Sequence, residues 1–83
     1  MDSVMERVTS TLTEKLKFSA EELHLESTSS GAVGGHIVSP RFKGMSQLDR
    51  QDLLWRVLEK ELPADVAVRI VAILTVTPEE IAD

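Results

Sequence analysis

VSPRFKGMSQLDRQDLLWRVLEKEL, residues 38–62, runs from the end of a strand through a short basic turn into a helix. Pro40 has no N–H to give a ladder, so it confines a strand to its end. Gly44 allows a tight backbone turn. Ser46 followed by Asp49 is an N-terminal capping pattern. Leu54, Trp55, Leu58 and Leu62 then recur at helical spacing, which predicts a helix over about 46–61 with one apolar stripe. Trp55 sits on that stripe, so core packing is its expected role. Pro63 ends the helix. The turn and helix start hold three positive charges, Arg41, Lys43 and Arg50, against one negative, Asp49. Three readings are open for this basic stretch: a solvated structural turn, a protein-docking edge, or a contact to nucleic-acid phosphates. Phe42 is expected to plug the core beneath it.

Outward from this stretch, the N-terminal side reads as a helix and a hairpin. Val4, Met5, Val8, Leu12 and Leu16 share one helical face, predicting a helix over 3–17, with Ser3 and Glu6 as a capping box. ELHLESTS, residues 22–29, alternates as a half-buried strand, with Leu23 and Leu25 inward and His24 and Glu26 outward. SSGAVGG supplies the turn, and GGHIVS, about 34–39, is a second strand that pairs with the first. On the C-terminal side, residues 66–76 read as a strand. Val66, Val68, Ile70, Ala72, Leu74 and Val76 are assigned to its covered face, and Ala67, Arg69, Val71, Ile73 and Thr75 to its open face. TPEE then starts a short helix, with Thr77 as cap, Pro78 first and Glu80 third. This element order predicts an α+β domain, a small three-stranded mixed sheet with helices on one face.

The bulk numbers bound the function. A chain of 83 residues with 42% hydrophobic content is one small globular domain, with no deep interior for a large active site. It has no cysteine, so no disulfide or thiolate metal site forms within it. No apolar run reaches the roughly 20 residues that span a bilayer. The start, MDSVMERVTSTL, is amphipathic and acidic at its second residue, unlike a secretory signal, and the protein is expected to be cytoplasmic. The net charge of −5 divides into −3, +2 and −4 over residues 1–30, 41–60 and 61–83, so only the middle offers a local basic patch. General nucleic-acid binders carry more Lys and Arg than this. No nucleophile–base pair, phosphate loop or carboxylate dyad stands out, and the chain is expected not to be an enzyme.

Residues 38–62, followed by a strand and TPEE, resemble the BolA-like proteins, the stress-induced morphogen family. The recurring features are a strand ending near S-x-x-F-x-G, a Ser or small residue opening the helical segment, an L-x-x-x-L helix, and a last strand closed by T-P-E-E. Here they are Ser39, Phe42, Gly44, Ser46 and residues 75–80. The likeness spans the element order of nearly the whole chain and is closest over 37–62 and 73–80. It implies a fold like the class II KH domain, in the order α-β-β-α-α-β-α. It also implies pairing with a monothiol glutaredoxin to hold or transfer a shared [2Fe–2S] cluster, or DNA binding and transcriptional control as a regulator. A monomer or weak dimer is expected.

The family's usual ligand is an imidazole on the last strand, and the position aligned with it here is Arg69. A guanidinium keeps its charge and has no lone pair for iron. A His-Arg pair common in the family's main helix reads Gln51-Asp52. The chain therefore resembles a divergent member. Its two imidazoles, His24 and His36, are the remaining candidate metal ligands, able to share the open face if the strands pair suitably. In a glutaredoxin complex the partner supplies thiolates, so one imidazole suffices. Arg41, Lys43, Arg50 and Arg69 are the candidate contacts to nucleic acid or a protein partner. The basic turn has a single glycine and no G-x-x-G loop of the kind that lets KH backbones approach phosphates.

Overall fold

The computed structural model describes residues 4–81. Their order is α1 (Val4–Lys15), β1 (Leu23–Ser27), β2 (Val33–Val38), a 3-10 turn (Pro40–Phe42), α2 (Gln47–Glu61), α3 (Ala64–Ala67), β3 (Ile70–Val76) and α4 (Pro78–Ile81). The sheet order is β1-β2-β3, with β1 antiparallel and β3 parallel to the central strand. A parallel neighbour needs a crossover, and the 3-10 turn, α2 and α3 provide it. The expected α+β class, mixed three-stranded sheet and element order are all present.

The two long helices form for the reasons their sequences give. In α1 the stripe buries Val8 and Leu12 completely. The proposed Ser3 cap lies outside the described residues. At the start of α2 the Ser46 hydroxyl accepts from the Asp49 N–H at 3.1 Å, and Leu54 and Leu58 are buried. The core joins these residues to Leu16, Phe18, Ile37, Phe42, Leu62, Val66, Ile70 and Ile73. Phe42 is buried under the 3-10 turn, its ring 5.6 Å from that of Phe18. Trp55 packs against the core without being enclosed by it.

The last strand departs from its sequence reading in two ways. First, β3 begins at Ile70. Residues 64–67 are the single turn of α3, capped by Pro63, whose carbonyl accepts from the N–H groups of Val66 and Ala67. A short run of small and branched residues does not distinguish a helical turn from a strand by periodicity. Second, Ile70 is buried and Val71 exposed as read, but beyond them the inward and outward faces are exchanged. Val33 pairs with Ile70 and Gly34 with Ala72, so Val71 has no register partner and the ladder shifts there. One extra residue reverses the parity of everything after it. Ile73 and Thr75 are therefore buried, whereas Leu74 is 63% exposed. Arg69 lies in the turn before β3 rather than on its open face.

Candidate functional site

The face of the sheet turned away from the core gathers the imidazoles. The period of two along β1 sends His24 and Glu26 outward when Leu23 and Leu25 pack inward. His24 and His36 are register partners across β1 and β2. Their rings stack with centroids 4.8 Å apart and planes 12° from parallel. The structure thus brings together the two candidate ligands, which are twelve positions apart in the chain. Leu74 is the register partner of His36 on its other side, so an exposed leucine flanks the imidazole pair. Sequence reasoning missed Leu74, because nothing in a run of apolar residues marks the bulge that turns it outward.

Gly35 lets β1 and β2 approach closely beside this pair. Its φ is +144°, and a Cβ built on it runs into the His24 carbonyl oxygen and comes within 2.9 Å of Leu25 Cα. Only glycine fits such an approach without moving backbone.

Of the four candidate cationic contacts, one is corrected outright. Arg50 is 4% exposed and is a structural arginine. Its Nε donates to the Met45 carbonyl at 3.0 Å and its Nη1 to the Thr75 carbonyl at 3.1 Å. Nη1 and Nη2 also grip the Glu80 carboxylate at 2.9 and 3.2 Å. Four of its five N–H donors are thus spent on partners within the molecule. Glu80 is held below the usual carboxylate range, chiefly by the Arg50 hydrogen bonds and next by the Thr77 N–H. It doubles as the closing residue of the α4 capping box, accepting from Thr77 N at 2.7 Å while its own N–H donates to the Thr77 hydroxyl at 3.3 Å.

Arg41 is engaged as well. Its Nη1 donates to the Leu16 carbonyl, and its guanidinium lies 4.5 Å over the Phe18 ring. Burial pushes the neighbouring Glu22 carboxyl up. Hydrogen bonds from Ser19 and Ser39, with the charge of Arg41, outweigh that and hold it below its usual value. Lys43 is exposed and sits 3.8 Å from Glu79, so its charge is locally balanced. Arg69 is exposed beside the β1–β2 turn, with Nη1 3.3 Å from where a Gly31 Cβ would be. Its own carbonyl accepts from Val33 N at 2.9 Å. Val33 is three residues before His36, so Arg69 starts about 10 Å along the strand from the imidazole pair.

Gln51, at the helix position where the resemblance expects histidine, has a structural task. Its side-chain amide donates to the Ile73 carbonyl at 2.9 Å. Gln47 donates likewise to the Thr75 carbonyl at 3.2 Å. These amides occupy the outer edge of β3, which an unpaired strand would otherwise present to another chain. Two surface grooves accompany the fold: one of about 390 Å3 among Trp55, Glu59, Leu62, Ala67 and Val68, and one of about 310 Å3 among Glu6, Arg7, Ser10, Thr11 and Glu61. Neither set of lining residues includes a nucleophile paired with a histidine. No described helix is long and apolar enough to cross a membrane.

Comparison with family models finds no match, and neither does comparison with curated proteins. Among solved structures, BolA1 from Arabidopsis thaliana superimposes with a TM-score of 0.65 at 23% identity, covering 96% of this chain and 98% of that one. The similarity extends over the whole architecture, and the chain has the BolA fold.

Proposed function

We propose that this chain is a non-enzymatic BolA-like adaptor or regulator that works by docking a protein partner. The observation that carries this reading is the open sheet face, where stacked imidazoles lie beside exposed Leu74 on a BolA scaffold. The sequence resemblance makes a monothiol glutaredoxin the partner and iron–sulfur homeostasis in the cytoplasm the setting. A [2Fe–2S] cluster shared with that partner draws its ligands from lone pairs. Arg69, at the usual ligand position, has none and does not fit. The side chains of this chain that fit an iron ligand chemically are His24 and His36. The nucleic-acid alternative has less in its favour: Arg50 is buried, and Lys43 lies against Glu79.

The test is an anaerobic titration of cluster-loaded monothiol glutaredoxin with this protein, followed by visible circular dichroism, with His36→Ala in parallel. The expected result is a changed cluster spectrum that reverts in the variant. A change that survives the substitution keeps the partnership and removes His36 as ligand. An unchanged spectrum with no complex on gel filtration overturns the glutaredoxin reading.

A further inference from the structure

We infer that His24 and His36 form a surface chelate for a borderline divalent cation of the Zn2+, Ni2+ and Cu2+ class, competent in the isolated chain. The inference does not rest on the glutaredoxin partnership. It rests on placement. The two residues face each other across an antiparallel pair, where Cβ atoms lie about 4.5–5.5 Å apart. The rings are already in contact, with a centroid separation of 4.8 Å.

Two imidazole nitrogens at about 2.1 Å from one ion, at a tetrahedral angle, are about 3.4 Å apart. Rings stacked at 4.8 Å come to that arrangement by turning about χ2, a broad torsion with a low cost. The backbone beneath them is fixed. Gly35 permits the close approach of β1 and β2 at this level, and β2 is the central strand, held on both sides. Most of the ordering that chelation requires is therefore present before the ion arrives.

The surroundings also suit a cation. Glu26 follows His24 on the same outward face of β1. Arg69, whose charge would repel a cation, lies beside Gly31 at the other end of the strand pair. No group of three or more His, Cys, Asp and Glu side chains suited to a metal occurs among the described residues. A bound ion thus keeps coordination positions for water or for a donor from another molecule. Imidazole ligands select the borderline transition ions over Mg2+, which prefers oxygen.

Isothermal titration of the isolated protein with Zn2+ and with Ni2+ tests this, with Mg2+ as control. One ion per chain is expected, with no Mg2+ heat. His24→Ala and His36→Ala are each expected to weaken binding by about tenfold or more. Far-UV circular dichroism checks that the variants fold. His24 is exposed, so its substitution decides the matter even if His36→Ala does not fold. A second readout is nuclear magnetic resonance with substoichiometric Cu2+, expected to broaden signals of residues around 24 and 36 first. Unchanged affinity in His24→Ala, equal binding of Mg2+, or broadening centred on the acidic helices overturns the chelate. A chelate without any glutaredoxin complex leaves this inference standing and the proposed partnership overturned.

Discussion

Arg50 shows how little a charge count says about where a charge goes. In the sequence it belongs to a small basic stretch. In the structure it ties together the turn at Met45, the end of β3 at Thr75 and α4 at Glu80. Capped helix starts at Ser46 and Thr77 were readable, because a side-chain oxygen three residues from its N–H is a local pattern. Arg50 was not, since Thr75 and Glu80 lie 25 and 30 positions away. Replacing Arg50 with Ala strands the Met45 carbonyl and leaves the Glu80 carboxylate without its guanidinium, and the expected loss is about 3 kcal/mol of unfolding free energy. Lysine keeps the charge but lacks the fork, so Arg50→Lys is expected to recover less than half of that. Urea denaturation of the two variants measures both. A Lys variant as stable as the parent contradicts the bidentate role. Gly35 is the second decisive residue. Gly35→Ala forces a methyl against the His24 carbonyl, and the expected cost is about 2–4 kcal/mol in the same assay.

At the scale of elements, α1, α2 and the β1–β2 hairpin follow from periodicity and turn residues, and β3 does not. Apart from Arg69, both faces of residues 66–76 are apolar or branched, so the sequence pattern gives little weight to either face as the inward one. The unpaired Val71 decides it, by shifting every later side chain to the opposite side. This assignment is open to direct test with a pair of substitutions. Ile73→Ala empties a core position and is expected to cost about 3 kcal/mol. Leu74→Ala removes an exposed side chain and is expected to change stability by less than about 0.5 kcal/mol. The alternation read from sequence alone predicts the reverse order, so thermal or urea melts of the two proteins separate the parities. The candidate site was legible in the same uneven way. Alternation in β1 and the glycine turn made a shared face for His24 and His36 possible and the strand register decided it, whereas Leu74 depended on the bulge.

The whole molecule is an acidic scaffold, net charge −5, in which two carboxylates act as long-range ties. Glu22 joins the start of β1 to Ser39 at the end of β2 and to Arg41, and Glu80 joins α4 to α2 through Arg50. Both are held below the ordinary value of 4.5 in the folded state. The native protein therefore releases these protons at lower pH than the unfolded chain does. The stability they contribute is fully present above that unfolded value and is lost as pH falls through the folded values. Between neutral pH and about 5, neither group changes its contribution. The expected melting profile is flat with respect to Glu22 and Glu80 in that range and declines on further acidification. Glu80→Gln keeps the length of the side chain and removes the titration. It is expected to lower the melting temperature at pH 7 and to make the decline below about pH 4.5 shallower, so that the variant and parent curves converge in acid. Thermal melts of both proteins across the acid range check this. Parallel curves, with the same offset at pH 7 and pH 3, show that the Arg50–Glu80 tie does not depend on the carboxylate charge.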